Sequence, residues 1–266
     1  RTFFPVDGER YIVYNWDEFN GFHFYKPDHN LAKSVYLPMW LNHVTQQYFN
    51  DDDLLEFFGV QFLGSNGPTG NQFLTKIIRE DGVELLSEPC QQQPVLSSLP
   101  NFPDRLMIRS HNNSGQLQEK ILDVKSLSLL HTFPSKVSRV SPDGATAFYV
   151  RFSEEGDSMS LYFDNFTFFK NIALPYPVDQ NSNFGITRYR FTQSGKLEIY
   201  YSTKNDTGPG SYQVVCIDED GALLHTFPGA YSGVLDQQPG MDDKFFVKYL
   251  NQVNTEVYDF VNQSTS

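Results

Sequence analysis

The chain is short of several things, and each shortage removes a class of protein. Only two of its 266 residues are cysteine, Cys90 and Cys216. That is too few for a disulfide scaffold, and Cys216, inside the apolar run Tyr212 to Ile217, reads as a small buried hydrophobe. Basic residues are scarce: 20 Lys and Arg stand against 32 Asp and Glu, for a net charge of −12. A nucleic-acid partner would need clustered Lys and Arg, so none is expected. No apolar run approaches the roughly 18 to 20 residues of a membrane helix, so no membrane span is expected. No stretch of 12 or more residues keeps a 3.6-residue period. Asp53 to Phe62 imitates a helix, but the repeat described below overrules it. The first residue is Arg rather than Met, which predicts a processed or excised segment, a monomer or one domain of a longer chain.

Enzyme signatures are also missing. There is no Gly-x-Ser-x-Gly elbow, no His-Glu-x-x-His, no Gly-rich phosphate loop and no sialidase box. The six histidines form no metal-like pair, and His131 and His225 occupy equivalent repeat positions.

What the chain has is aromatic residues, 24 Phe and 15 Tyr, and a repeat. The hexapeptide LLHTFP occurs at Leu129 to Pro134 and again at Leu223 to Pro228, 94 positions apart. Aligning on it brings six copies into register, each a series of short apolar or aromatic runs separated by turn residues. The second run of each copy begins near Glu9, Asp53, Arg105, Ala145, Lys196 and Lys244, an average spacing of about 47 residues. Four strands per 40 to 50 residues is the period of a propeller blade. The fold expected is all-β: one six-bladed β-propeller domain over 1–266, of four-stranded antiparallel blades near 1–38, 45–89, 93–134, 135–177, 181–228 and 230–266. LLHTFP is then the fourth, outermost strand of blades three and five. Asp7-Gly8, Asp143-Gly144, Ser194-Gly195 and Asp220-Gly221 supply positive-φ turn positions. The sixth copy has three strands, and the expectation is that Arg1 to Phe4 supplies its fourth, closing an edge that would otherwise need managing.

One segment carries a resemblance. VSRVSPDGATAFYVRF, at Val137 to Phe152, followed by MSLYFD, resembles the repeat of TolB-type propellers and of the propeller domain in prolyl-oligopeptidase-like proteins. There a Ser-Pro-Asp-Gly turn joins the inner strand to the second. The match is in one blade. It implies a propeller and an extracytoplasmic binding module, secreted or periplasmic.

Two faces are candidates for binding. The loops between blades, such as Met39 to Gln47 and Cys90 to Ser98, carry Trp40, His43, Gln47, Gln92, Asp179, Asn183 and Tyr231. Aromatic plates and amides of this kind suit a polar peptide or a sugar; polar loops are also what any protein shows there. The opposite face collects turn aspartates, with Asp52, Asp143 and Asp242 as candidate Ca2+ ligands. Asp is equally a good turn residue repeated because the blade repeats, so no cofactor is required. Four Asn-x-Ser/Thr triplets occur, at Asn112, Asn165, Asn205 and Asn262; a chain rich in these residues shows some by chance. The reading that follows is a non-catalytic propeller recognising a protein or peptide. A lectin-like propeller is the second reading. A propeller glycosidase is the third, and it requires two axis-facing carboxylates about 5 to 10 Å apart.

Overall fold

The computed structural model describes residues 3–6, 10–15, 21–37, 39–46, 48–49, 54–65, 71–178, 184–188, 192, 194–204, 212–228, 230–235, 244–248 and 255–259. Among them every regular element is a strand, and all pairing is antiparallel. The strands form six sheets of consecutive elements. The first holds β1 (Phe3–Val6), β2 (Arg10–Asn15), β3 (Gly21–Tyr25) and β4 (Leu31–Tyr36). The second holds β5 (Trp40–Gln46), β6 (Leu55–Ser65), β7 (Asn71–Arg79) and β8 (Glu84–Cys90). The third holds β9 (Val95–Ser97), β10 (Arg105–His111), β11 (Leu117–Asp123) and β12 (Leu129–Phe133). The fourth holds β13 (Ser138–Val140), β14 (Phe148–Phe152), β15 (Ser158–Phe163) and β16 (Phe168–Ala173). The fifth holds β17 (Phe184–Arg188), β18 (Leu197–Lys204), β19 (Tyr212–Asp218) and β20 (Leu223–Pro228). The sixth has three strands, β21 (Ala230–Leu235), β22 (Lys244–Lys248) and β23 (Thr255–Asp259).

Two expectations need correcting. Phe3 and Phe4 belong to β1 and pair with Val13 and Ile12, inside the first sheet. They do not provide a fourth strand for the sixth, because the first sheet needs its own innermost strand. The segment from Trp40 is β5, the first strand of the second sheet, rather than a loop; that sheet starts five residues before the expected 45. A polar sequence such as NHVTQ hides a strand when only one of its faces is covered.

The chain divides into two compact units, 1–98 with 103–135 and 99–102 with 136–266. In the first unit, Phe22 and Phe24 of β3 and Phe57 of β6 join one core, with Phe22 and Phe57 stacked at 4.6 Å. Phe58, Ile77, Leu106, Ile108 and Leu122 form another between the second and third sheets. The second sheet is thus covered on both faces, which explains why LLEFFGV is apolar on both sides of the strand but for Glu56. In the second unit, Phe148, Val150 and Leu161 pack against Ile199, Tyr201 and Val215, joining the fourth and fifth sheets.

LLHTFP has a physical explanation. In all five four-stranded sheets the third-to-fourth pairing shifts register by one, leaving Ala32, Leu85, Leu130, Phe169 and Leu224 as the extra residue of a bulge. The two leucines of each hexapeptide open this bulged edge strand, and the Phe anchors it: Phe133 and Phe227 are buried. The preceding turns repeat as well. Lys26, Arg79, Phe163 and Asp218 each donate a backbone N–H to the carbonyl four residues on. His29, Gly82, Phe166 and Gly221 sit at the positive-φ position within them.

Candidate functional site

One open feature of the described residues lies in the first unit, where the second and third sheets end together. It grows out of strand length. β6 runs 11 residues, and its last turn of chain projects past the core. There Phe62 is 44% and Leu63 53% exposed, and Trp40, opposite Val60 on β5, is 48% exposed. The indole of Trp40 lies parallel to the Phe62 ring at 6.1 Å, and Phe73 of β7 closes the group at 5.9 Å from Trp40 and 5.4 Å from Phe62. Single exposed apolar residues are ordinary; three aromatic rings gathered at one strand end are less so.

Beside it is a cavity of about 610 Å3. Leu63, Phe73, Leu74, Pro89 and Cys90 give it apolar walls, and Gln72, Gln91, Ser110 and His111 supply hydrogen-bonding groups. That size and that mixture fit a small ligand or one or two side chains of a larger one. Among the described residues no carboxylate, Lys or Arg lines it. Its floor is fixed: Gln91 donates its backbone N–H to the Arg109 carbonyl at 2.8 Å. Arg109 holds Gln92 Oε1 at 3.0 Å and the nearly buried Glu119 carboxylate at 2.9 Å. Burial pushes the Cys90 thiol up, against an opposing bond from Thr75.

Of the residues nominated from sequence, Trp40 and Gln92 lie at this end of the unit. His43 is on β5 and stacks on Phe58 at 5.9 Å with rings 6° apart. Tyr231 lies on β21, a strand rather than an inter-blade loop. Gln47, Asp179, Asn183, Asp52 and Asp242 lie outside the described residues. Asp143 is a turn lock: its carboxylate accepts the backbone N–H groups of Ala145 at 2.9 Å and Thr146 at 2.7 Å and pairs with Arg188 at 3.0 Å. Burial pushes Asp143 up, yet those N–H groups and the Arg188 guanidinium outweigh it and hold the carboxyl below its usual range. Among the described residues no three His, Cys, Asp or Glu side chains gather into a metal-binding group. No helix among them is long and apolar enough to cross a membrane.

Sequence reasoning missed Phe62, Leu63, Phe73, Gln72 and His111. Their signal was the length of the apolar run through Phe62 and Leu63 up to the turn SNGPTG, longer than any other second strand. It also missed two buried carboxylates. Glu56 of β6 accepts Thr45 Oγ1 and the backbone N–H groups of Tyr48 and Phe49, all at 2.9 to 3.0 Å. Glu198 of β18 accepts Thr187 Oγ1 at 3.2 Å and both the N–H and hydroxyl of Thr192 at 2.6 and 2.8 Å. Both are fully buried and serve as anchors for the loop between first and second strands.

Comparison with protein-family models and with curated proteins found no match. Solved structures do show likenesses. Saccharomyces cerevisiae Sqt1 is similar at a TM-score of 0.45 and 9% identity, over 99% of this chain and 70% of that one. The β-propeller domain of the Trilobed protease from Pyrococcus furiosus is similar at 0.42 and 10%, over 98% and 82%. A eukaryotic initiation factor follows at 0.36 and 7%, over 85% of this chain and 64%, less than two thirds, of that one. The neighbours include a propeller domain. At such TM-scores these likenesses carry no argument about function.

Proposed function

We propose that the six sheets are the blades of one six-bladed propeller, and that it works as a non-catalytic module that recognises a protein through an extended, uncharged, apolar-rich segment. The observation that supports this is the pair of exposed rings Trp40 and Phe62, backed by the half-buried Phe73, flanking the neutral cavity. An aromatic platform beside an apolar hole with a few amides suits a peptide whose side chain enters the cavity while its backbone meets Gln72 and Gln91. A secreted or periplasmic setting is part of the same proposal, and it rests on the resemblance of Val137 to Phe152 to extracytoplasmic propeller repeats.

The test is selection of peptides from a displayed random library on the immobilised chain, followed by titration of the selected peptides against Trp40→Ala and Phe62→Ala. Selected sequences should carry an aromatic or aliphatic anchor, and a central aromatic anchor is worth about 2 kcal/mol, so each substitution should weaken binding by roughly thirtyfold. Binders that ignore both substitutions would remove this surface as the site.

A further inference from the structure

Two of the four Asn-x-Ser/Thr triplets fall in described residues, and the fold holds them differently. Asn112 is bound at both ends of its amide. Its Oδ1 accepts the N–H groups of Ser114 and Gln116 at 2.9 Å, and its Nδ2 reaches Gln116 Oε1 at 3.5 Å. Asn165 is exposed at the tip of the turn joining β15 to β16. Phe163 donates its N–H to the Thr167 carbonyl at 2.8 Å, and Phe166 donates to the Phe163 carbonyl at 2.8 Å. Asn165 Oδ1 accepts the Thr167 N–H at 3.1 Å. Its Nδ2 makes no hydrogen bond among the described residues.

The repeat shows that this nitrogen is surplus to the fold. In the first and second sheets the equivalent positions are Asp28 and Asp81, whose carboxylates accept the same bond, from Asn30 at 3.0 Å and Val83 at 3.2 Å; in the fifth, Asp218 takes the Ala222 N–H instead and the Asp220 carboxylate turns to Lys170 and Lys196. The turn asks for an acceptor oxygen, and Asn165 adds a donor amide that no neighbour uses. The tip is also held in one shape. Phe166, at a φ of 68°, stacks on Tyr149 at 5.2 Å, and Phe163 packs against Phe148 and Phe169. Thr167 is exposed, so the hydroxyl two residues after the Asn faces no obstruction, and Phe168 beside it is 55% exposed.

We propose that Asn165 is an acceptor site for an N-linked oligosaccharide. In the step, Asn165 Nδ2 forms a bond to the anomeric carbon of a lipid-pyrophosphate-linked oligosaccharide. The bond from that carbon to the pyrophosphate oxygen breaks, the lipid pyrophosphate leaves with the electron pair, and one Nδ2 proton passes to a base of the transferase. Nothing is oxidised or reduced. The proposal rests on the secreted setting proposed above, and not on the peptide-binding surface.

The test is expression of the whole chain behind a cleavable signal in a eukaryotic secretory host, as the wild type and as Asn165→Gln, Thr167→Ala and Asn112→Gln. Glycosidase release in heavy-oxygen water marks each formerly glycosylated Asn as labelled Asp, in both the secreted and the retained pools. Label at Asn165 is expected in the wild type and in Asn112→Gln, with complete loss in Thr167→Ala. The intact mass of Asn165→Gln should fall by one glycan. Asn165→Asp, which keeps the turn oxygen, should match the wild-type strand spectrum and thermal midpoint while carrying no glycan there. An unlabelled Asn165 in both pools, or label that survives Thr167→Ala, would overturn the proposal.

Discussion

The second and fifth sheets share one device and then part company. In each, a buried glutamate near the start of the second strand faces a first-strand threonine: Glu56 with Thr45, Glu198 with Thr187. In each the carboxylate takes the N–H of a residue beyond the first strand that would otherwise lack a partner. Farther along the same strands the two sheets diverge. In the second, Gly59 is followed by the exposed Phe62 and Leu63. In the fifth, the equivalent of Gly59 is Tyr201, fully buried, and the chain stays covered through Thr203, whose hydroxyl is bonded to the Pro177 carbonyl at 2.6 Å. What the two repeats have in common is scaffold. Where they differ, one sheet is sealed and the other presents an aromatic surface, the one proposed above for binding.

The largest test of that comparison is at the glutamates. Replacing either by Leu strands buried N–H and hydroxyl groups, and losing hydrogen bonds to a buried charge should cost about 3 kcal/mol or more. The measurement is the urea midpoint of Glu56→Leu and Glu198→Leu. Glu→Gln variants, which keep one acceptor oxygen, should fall between these and the wild type. If one site tolerates Leu and the other does not, the two are not the same device.

How much of this was legible follows from which signals repeat. Second-strand starts near Arg105 and Lys244 were visible because turn residues and aromatic runs recur with them, and the observed β10 and β22 begin there. LLHTFP was legible as an edge strand because the hexapeptide itself recurs; the bulge it forms did not show, since other residues form the same one in the first, second and fourth sheets. β5 was not, because its covered face alternates with polar residues that read as loop. Glu56 and Glu198 were invisible because a lone glutamate inside an apolar run carries no mark of what bonds to it; the three-repeat spacing was the available clue. Phe62 and Phe73 both look like core in sequence; Phe73 does pack on the core, and the length of β6 leaves Phe62 exposed. Trp40 was legible as a residue in need of a partner, and its partners proved to be those two rings.

The next test is at two glycines. A Cβ on Gly59 would lie 2.2 Å from the Trp40 carbonyl oxygen, so the backbone of β5 must move. A Cβ on Gly185 would meet the far end of the Tyr200 ring, also at 2.2 Å, and a ring can swing where a backbone cannot. Gly59→Ala should therefore cost about 3 kcal/mol and Gly185→Ala about 1 kcal/mol. Only the first should also displace Trp40, read as a change in its fluorescence maximum and in peptide binding. Equal costs would mean that the β5 backbone is as yielding as a side chain.

The smallest effect is a pH dependence at Tyr201 of the sealed sheet. Burial pushes the Tyr201 hydroxyl up to about 12, from 10 in an exposed tyrosine, and it bonds to the Tyr176 carbonyl at 2.9 Å. Because the folded value is the higher one, the folded chain holds this proton more tightly than the unfolded chain. The associated stability is fully present below pH 10 and drains away as pH rises toward 12. Tyr201→Phe forfeits the hydrogen bond, about 1 kcal/mol at neutral pH. It should nonetheless lose less stability than the wild type between pH 10 and 12. Urea midpoints at pH 7, 10 and 11.5 give the comparison. If the two curves run parallel, Tyr201 is not the group that seals the fifth sheet, and the contrast with Gly59 rests on packing without a buried hydroxyl.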